Sequence, residues 1–392
     1  MSEKSGGRSG RSTAATTPSR VLELIASGQA LSRTELAAEL GAAASTVSAV
    51  VAQLMARGLI AEQGSGASTG GRPRRILRLG GADEFSVGVD LGGRHARVGV
   101  VRTGGVVSDV ETVAIDIEEG PERSLARLAG TLDELAGRQA AGVLRAVGIS
   151  LPGPVDVDAG MVDMPSRMPG WNRFPVVDWL EDRFQLPVAV ENDANCMAIA
   201  EHAAHPAHRQ SITVKAGTAI GAGIIADGRL YRGATGAAGD ITHVRIDAAG
   251  TTPCSCGNTG CLETVASGAG IARTVREQGV DVRATLDIVR LTSEAHPTVT
   301  HAVRRAGKYL GEVLSANVNF FNPDAVYLGG VLSTLEPFVS SVRSQLYEGS
   351  HPLVTQHLSI ERSLLGRDAG LTGIGLLALQ RSLERRLDGI GA

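Results

Sequence analysis

Phe85-Ser-Val-Gly-Val-Asp90-Leu-Gly-Gly-Arg94 is the segment from which the architecture of this chain follows. It predicts an apolar strand that ends at Asp90, a tight glycine turn, and a second strand over residues 97–102. A strand, a glycine turn and a strand bring backbone N–H groups and one carboxylate to a single edge, as phosphates and Mg²⁺ require. Many hairpins contain glycine, so this segment alone is a weak signal.

A related segment, Ala216-Gly-Thr-Ala-Ile-Gly-Ala-Gly223, occurs later in the chain, again between two predicted strands. Two such units predict a duplicated α/β fold with a ligand cleft between its halves.

A buried strand between these two segments leads into a polar cluster, Glu191-Asn192-Asp193-Ala-Asn195. Strand ends are fixed in position and helix N-termini donate hydrogen bonds, so this placement suits catalysis or ligand binding. The alternative is that Asp193 only caps its helix.

Three of the four cysteines lie in the segment Cys254-Ser-Cys256-Gly-Asn-Thr-Gly-Cys261, and His243 precedes them by eleven residues. Three thiols and one imidazole complete a tetrahedral Zn²⁺ site with no open position, which predicts a structural metal. The alternative is three cysteines that are simply reduced.

The chain has 392 residues, 43% of them apolar and 20% charged, which predicts two or three soluble domains. No run approaches the roughly 18 apolar residues of a membrane span, so we expect no transmembrane segment and no membrane partner. Residues 1–17 are polar and without periodicity. We expect a disordered tail without a secretory signal, and hence a cytoplasmic protein.

Charge is distributed unevenly along the chain. Residues 1–80 carry ten Lys and Arg against five Asp and Glu, whereas the rest carries 28 against 36. A basic head on an acidic body predicts a polyanion partner for the head alone. Only Lys4, Lys215 and Lys308 are lysines, a bias that we attribute to genome composition.

The head shows the pattern of three short helices, over residues 19–28, 32–41 and 45–58. Ser32 and Glu35 have the spacing of a capping box at the start of the second helix. Two short helices joined by a glycine turn predict a helix-turn-helix. Its second helix would enter the DNA major groove, with hydroxyl groups at the helix start facing phosphates or base edges. These hydroxyl residues are Ser45, Thr46 and Ser48.

A predicted hairpin follows the three helices and makes the head a winged helix-turn-helix over residues 18–80. Its tip contains Arg72, Arg74 and Arg75, with Pro73 holding the chain extended. Such an arm suits a narrow, A·T-rich minor groove of double-stranded DNA. The alternative is an interaction module of three helices whose arginines are solvated.

Together these segments resemble the ROK family of repressors and sugar kinases, over residues 18–385. The most specific part is Cys254-x-Cys-Gly-x-x-Gly-Cys-Leu-Glu263 with its upstream histidine. The resemblance implies an actin-like, RNase H-like ATPase fold with two lobes and a sugar cleft. Lobe I would comprise residues 85–205 with the closing helix 370–390, and lobe II residues 206–369 with the zinc site. The winged head is typical of the family's repressor branch.

The resemblance also implies roles for individual residues. Asp193 matches the base that takes a proton from the sugar hydroxyl in the kinases, and Asn192, His243 and Glu263 match sugar ligands. Asp240 stands where a glutamate is usual, and because aspartate is one methylene shorter we expect that contact to be longer or to use a water molecule. His243 would bind zinc with one ring nitrogen and sugar with the other.

Three departures from the family pattern bear on catalysis. Arg94 replaces a hydroxyl residue, Ala219 replaces a glycine, and Arg167 replaces an asparagine. The first two lie in the phosphate loops, and phosphoryl transfer depends on positioning and charge stabilisation. We therefore expect Asp193 to bind sugar without turnover, as a vestigial base, and expect neither ATP nor Mg²⁺ as cofactor.

These expectations predict a sugar-responsive transcriptional regulator, a repressor of carbohydrate metabolism or transport genes. A homodimer or tetramer would bind a pseudo-palindromic operator, and a sugar or sugar phosphate in the cleft would alter the affinity. The alternatives are an ATP-dependent sugar kinase with a DNA-binding head, and a ligand-independent regulator that contacts another protein through its body.

Overall fold

The computed structural model describes residues 18–26, 30–65, 75–80 and 83–388. They form two compact units. The first contains the described residues before Asp83 together with those from Leu383 onward, and the second is Asp83–Ser382. The predicted tail and the tip of the predicted hairpin, with Arg72 and Arg74, lie outside the described residues.

The first unit contains three helices and a two-stranded antiparallel hairpin. The elements are α1 Pro18–Ala26, α2 Arg33–Leu40, α3 Ala44–Ala56, β1 Ile60–Ser65 and β2 Arg75–Leu79. Apolar residues at helical spacing on α3 are buried in its core, as Val47, Val51 and Leu54 show. Leu383 is buried in the same core. The unit has the helix order and hairpin predicted for a winged helix-turn-helix.

The N-terminus of α2 is capped as the sequence indicates, with one difference. The Ser32 hydroxyl accepts a hydrogen bond from the Glu35 N–H at 3.3 Å. The Glu35 carboxylate accepts from the Leu31 N–H at 2.9 Å, whereas a standard capping box uses the N–H of the cap residue itself. Two N–H groups at the helix start therefore still find acceptors.

The second unit contains two five-stranded sheets and one short hairpin. The strands of the first sheet are β3 Glu84–Leu91, β4 His95–Arg102, β5 Val107–Ala114, β6 Val143–Leu151 and, after the short hairpin β7 Val155–Asp156 and β8 Met161–Val162, β9 Val188–Asn192. Those of the second sheet are β10 Ser211–Ala216, β11 Ile220–Ala226, β12 Arg229–Tyr231, β13 Ala325–Gly329 and β14 Ser359–Arg362.

The two sheets have the same topology. The order is β5-β4-β3-β6-β9 in one and β12-β11-β10-β13-β14 in the other. In each sheet, the first three strands of this order pair with one another in antiparallel fashion. The fourth strand pairs in parallel with the third, and the fifth pairs in parallel with the fourth. The predicted duplication is thus confirmed, and β3 corresponds to β10.

Ten helices of the described residues belong wholly or mainly to this unit. They are α4 Pro121–Arg138, α5 Val176–Phe184, α6 Asp193–Ala204, α7 Glu263–Ala266, α8 Gly268–Glu277, α9 Thr285–Ser293, α10 Pro297–Phe321, α11 Glu336–Gly349, α12 Pro352–Thr355 and α13 Ala369–Asp388. Among the residues that the structure describes, none of the helices combines the length and apolar character needed to cross a bilayer.

Helix α6 packs against both sheets. Cys196 of α6 is buried with Ala146 of β6 and with Ile374 of α13, while Ala194 of the same helix lies against Gly221 of β11. Helix α6 therefore contacts both sheets, and its N-terminus lies where they meet.

Candidate functional site

The structure brings His243, Cys254, Cys256 and Cys261 together. Their ligand atoms all lie within 4.8 Å of one another. The Cys254 sulfur is 3.5 Å from His243 Nδ1, and the sulfurs of Cys256 and Cys261 are 3.8 Å apart. With Zn–S near 2.3 Å and Zn–N near 2.1 Å, a tetrahedral ion needs separations of about this size. The cluster is compatible with a structural metal.

Tight turns of the backbone produce this cluster. Gly257, with φ +90°, and Gly260, with φ +78°, both occupy left-handed backbone regions, which glycine adopts at little cost. The Cys254 N–H donates to the Asn258 carbonyl at 2.8 Å, which closes the turn that carries Cys256. The glycines in the Cys-Gly-x-x-Gly-Cys string are therefore structural requirements of the loop.

The elements that carry the predicted sugar residues meet at the start of β11. The Ile220 N–H donates to Glu263 Oε2 at 3.1 Å, and the Thr242 hydroxyl donates to the Ile220 carbonyl at 2.5 Å. A Cβ on Gly239 would lie 2.1 Å from the Ala222 carbonyl oxygen, so the chain before Asp240 packs directly on this strand. Together with the contact between Ala194 and Gly221, these contacts bring the chain segments that carry the predicted sugar residues to the first residues of one strand.

Asn192, not Asp193, caps helix α6. The Asn192 side-chain oxygen accepts from the N–H groups of Ala194 and Asn195, at 2.9 and 3.3 Å. Its amide nitrogen donates to the Gly153 carbonyl at 3.0 Å. The alternative that Asp193 serves only as a helix cap is therefore not what the structure shows.

The Asp193 carboxylate instead forms an ion pair with the ammonium group of Lys215. The side chains are 10% and 29% exposed respectively. Lys215 lies on β10 of the other sheet, and the sequence analysis did not assign it to the site. The only signal in the sequence is that lysine is rare in this chain.

Glu263 is also held by a cation. Its carboxylate is almost completely buried and lies 2.8 Å from the Arg167 guanidinium, whose side chain is half exposed. Burial raises the pKa of the Glu263 carboxyl, while Arg167 and the Ile220 N–H act in the opposite direction. The loop that carries Arg167 is anchored by buried Met168 and Trp171, so the guanidinium is fixed against Glu263.

A third pair joins Glu191 and Arg232. The Glu191 side chain is 1% exposed and lies 2.8 Å from Arg232 Nε. The same carboxylate accepts from the Asn195 amide at 2.9 Å and from the Asn192 backbone N–H at 2.9 Å. Glu191 therefore holds the two asparagines in place. Glu191 belongs to the polar cluster that the sequence indicates, whereas no sequence pattern indicated Arg232.

The other two predicted residues differ in their surroundings. Asp240 is exposed at the start of the turn 241–243 and makes no side-chain cap there. His243 is half-buried, and its Nδ1 faces Cys254. If Nδ1 binds a metal, Nε2 is the ring nitrogen left for a ligand, as the sequence analysis expects.

The two glycine turns are occupied by protein groups. The side chain of Arg94 is exposed and pairs with Asp116 at 3.0 Å. In the second turn, the carbonyls of Gly217 and Thr218 accept from the N–H groups of Gly268 and Ala269 at the start of α8, at 2.8 and 3.1 Å. Those helix N–H groups are thus already bonded to the turn.

In the head, Ser45 and Thr46 are exposed on the first turn of α3 and Ser48 is partly exposed. Arg75 is exposed at the start of β2, where it pairs with Glu62 at 2.6 Å. Arg33 pairs with the same carboxylate at 2.9 Å. Of the three predicted wing arginines, only Arg75 lies in the described residues.

The fold and the site together define a duplicated, two-sheet α/β protein with a Cys₃His cluster, buried carboxylate–cation pairs and a helix-turn-helix unit in one chain. The family model for the ROK family matches residues 86–381, and the model for the IclR helix-turn-helix domain matches residues 19–64. The chain belongs to the ROK family.

Relatives of two kinds are found. The chain is 30% identical to the xylose repressor of Bacillus spizizenii over 377 residues, which is 93% of this chain and 95% of the repressor. It is 30% identical to a glucokinase of Halalkalibacterium halodurans over 325 residues, or 78% of this chain and 98% of the glucokinase. A crystal structure of a ROK family transcriptional regulator, a homolog of the E. coli MLC protein, superposes with a TM-score of 0.75 at 26% identity, covering 94% of this chain and 97% of that one.

Proposed function

We propose that this protein is a sugar-responsive, DNA-binding transcriptional regulator that represses genes of carbohydrate metabolism or transport. The observation that carries the proposal is the presence of a ROK body and a helix-turn-helix unit in one chain. The similarity to the xylose repressor spans both parts, whereas the glucokinase matches only 78% of the chain.

The ligand of the cleft is a sugar or sugar phosphate that contacts Asn192, Asp193, Asp240, His243 and Glu263. Support comes from the convergence of the elements carrying these residues on the start of β11. Carboxylates, an amide and an imidazole are suitable partners for sugar hydroxyl groups. The ligand would lie between lobe I, residues 85–205 with the closing helix, and lobe II, residues 206–369.

The metal of the Cys₃His cluster is structural Zn²⁺, since all four positions of a tetrahedral ion are filled by protein groups. Zinc would hold the loop between His243 and Glu263 in shape and fix the orientation of the histidine ring. It would take no part in a reaction.

The head would read double-stranded DNA through Ser45, Thr46 and Ser48 in the major groove, and through Arg72, Arg74 and Arg75 in an A·T-rich minor groove. A symmetric dimer would bind a pseudo-palindromic operator. Because its partner is DNA, we place the protein in the cytoplasm.

The test is fluorescence anisotropy of the full chain on DNA from upstream of its own gene, titrated with free and 6-phosphorylated sugars at one fixed salt concentration. We expect one sugar to change the affinity at least about tenfold, or roughly 1.4 kcal/mol of coupling. DNA binding with no effect of any sugar contradicts the proposal and favours a regulator that responds to another protein.

The second candidate is a sugar kinase with a DNA-binding head, favoured by the glucokinase relative. A coupled assay for ADP release distinguishes the two. Sugar-dependent turnover at about 1–100 per second, which is typical of kinases, supports the kinase. Turnover far below that range supports the regulator.

A further inference from the structure

The duplicated fold places opposite charges at corresponding positions of the two sheets. Asp90 lies at the end of β3, directly before Leu91 and two glycines, and Lys215 lies at the end of β10, directly before Ala216 and Gly217. Because β3 and β10 are the corresponding central strands, both side chains belong to the strand ends that border the glycine turns. An acidic residue in one half is matched by a basic residue in the other.

Asp90 is fixed on one side by its own sheet. The Ser150 hydroxyl donates to Asp90 Oδ1 at 2.7 Å, and Ser150 is the register partner of Asp90 on β6. A Cβ on Gly370 would lie 2.6 Å from the Asp90 carboxylate, so the start of α13 packs directly against it. The carboxylate is therefore held in place rather than free to turn away.

Lys215 supplies positive charge to this region. It contacts Asp193 directly. Burial opposes its charge, but the attraction of Asp193 and Asp90 outweighs burial and raises the pKa of the Lys215 ammonium group. The same charged groups affect Cys196 on α6. Burial and the charges of Glu191, Asp90 and Asp193 raise the pKa of its thiol, while Lys215 acts in the opposite direction.

We propose that Lys215 is a built-in counter-ion that takes the place of a divalent cation at the Asp90 and Asp193 carboxylates. The ROK fold and its kinase relatives imply a Mg²⁺–nucleotide in this cleft, and the residues present do not fit it. A strand-end ammonium group neutralises the carboxylates that such an ion needs. In addition, the Gly268 and Ala269 N–H groups at the start of α8, which could donate to a phosphate, are bonded to the carbonyls of the second glycine turn. The inference concerns the phosphate side of the cleft and does not rest on the sugar response.

The test is Mn²⁺ binding to the zinc-loaded full chain, measured from the free Mn²⁺ signal in electron paramagnetic resonance. We expect Lys215→Met to bind one additional Mn²⁺ ion per chain. Its affinity for this ion should be at least tenfold higher than that of the wild type. The matched control is Lys308→Met, because Lys308 is an exposed lysine on α10; it must behave as the wild type. Asp90→Asn added to Lys215→Met must abolish the gain, which locates the ion.

Lys215→Gln is the second variant if Lys215→Met does not fold, since glutamine keeps an N–H donor for Asp193 without the charge. A folded Lys215 variant with no gain in Mn²⁺ affinity overturns the proposal. The proposal is also overturned if the wild type binds Mn²⁺ and the Asp90→Asn substitution in the wild type removes it, because the ion would then bind at Asp90 in the presence of Lys215. A missing sugar response in the anisotropy experiment, by contrast, leaves this inference standing and removes only the proposed function.

Discussion

Three buried carboxylates of the cleft region are each paired with one cation. The pairs are Asp193 with Lys215, Glu263 with Arg167, and Glu191 with Arg232. A buried carboxylate without a partner is strongly disfavoured, whereas a paired one keeps its charge and its remaining lone pairs. These three carboxylates thus remain acceptors for hydroxyl groups while each of their charges is balanced by a cation.

Asp193→Ala should leave DNA binding intact and abolish the sugar response, because the substitution removes a predicted hydroxyl acceptor but touches nothing in the head. The measurement is anisotropy with and without the active sugar. Lys215 loses its partner in this variant, so we also expect a lower melting temperature; Asp193→Asn, which keeps the volume, serves as the second variant. Asp281→Ala is the control, because Asp281 is 80% exposed. A normal sugar response in Asp193→Ala removes Asp193 from the ligand site.

Glu62 gives the head a pH-dependent contact. The hydrogen bond from Arg75, opposed by burial and assisted by the charge of Arg33, lowers the pKa of the Glu62 carboxyl below its ordinary 4.5. A carboxyl whose pKa is lower in the folded state stabilises the fold at pH values above its pKa in the unfolded chain. This contribution is lost as the pH falls through the pKa of the folded state. Arg75 is 67% exposed and Arg33 39%, so the contribution is at most about 1 kcal/mol.

Glu62→Gln should therefore lower the stability of the head at pH 7 by up to about 1 kcal/mol, and the difference from the wild type should shrink as pH falls below 4.5. Hydrogen exchange of the β1–β2 hairpin amides at several pH values measures this locally. Glu39→Gln, at an exposed position of α2, is the comparison variant. An equal difference at all pH values would show that the effect is packing and not charge.

At the scale of elements, the loop from His243 to Glu263 joins the metal cluster to the cleft. The cluster fixes His243 and Cys261, and Glu263 follows two residues later with its carboxylate on the Ile220 N–H. A structural metal bound to this cluster would therefore position a predicted sugar ligand through only two residues of chain.

Cys256→Ser should reduce zinc content and weaken sugar binding by at least tenfold, because a serine hydroxyl is a poor ligand for Zn²⁺. DNA binding without sugar should be retained. Metal analysis and calorimetric sugar titration measure the two effects, and Cys196→Ser, outside the cluster, is the control for zinc content. Full sugar affinity in a zinc-free Cys256→Ser protein would show that sugar binding does not depend on the metal.

The β1–β2 hairpin is the element that we expect to reach the minor groove. Arg72→Ala should weaken operator binding, lower the slope of log affinity against log salt by about one, and reduce the preference for A·T flanks. Anisotropy at several salt concentrations measures this. Arg94→Ala, a body arginine that is 76% exposed and paired with Asp116, should bind as the wild type. An unchanged salt slope would mean that Arg72 makes no phosphate or groove contact.

Local features were readable from the sequence, and long-range pairs were not. The two glycine turns predicted the duplication, and the Cys-x-Cys-x₄-Cys spacing predicted the metal cluster, because each depends on residues close in the chain. The pairs of Asp193 with Lys215 and of Glu263 with Arg167 join different strands or loops. Partner choice at that separation depends on sheet order, which the pattern of apolar residues does not specify. Lys215 was visible only as a rare lysine, and its rarity was attributed to genome composition.

For the whole molecule, the proposed function requires that ligand binding at two sites in different units be energetically coupled. The predicted DNA residues that the structure describes, Ser45, Thr46, Ser48 and Arg75, lie in the first compact unit, and the predicted sugar residues lie in Asp83–Ser382. A sugar shifts operator affinity only if it binds the DNA-competent and DNA-incompetent states with different affinities. The coupling is therefore a measurable difference in binding free energy, whatever the structural route.

Linkage makes this coupling reciprocal, which gives the sharpest test of the proposed regulator. If a sugar changes operator affinity about tenfold, then saturating operator DNA must change sugar affinity by the same factor and in the same direction. Calorimetric sugar titrations with and without operator, at one salt concentration, measure the second half of the cycle; DNA of scrambled sequence is the control. A sugar that shifts DNA binding while operator leaves sugar affinity unchanged must be acting at some other place, for example on aggregation or on the DNA itself. Equal factors would establish that one protein binds both ligands and that the two binding events are energetically coupled.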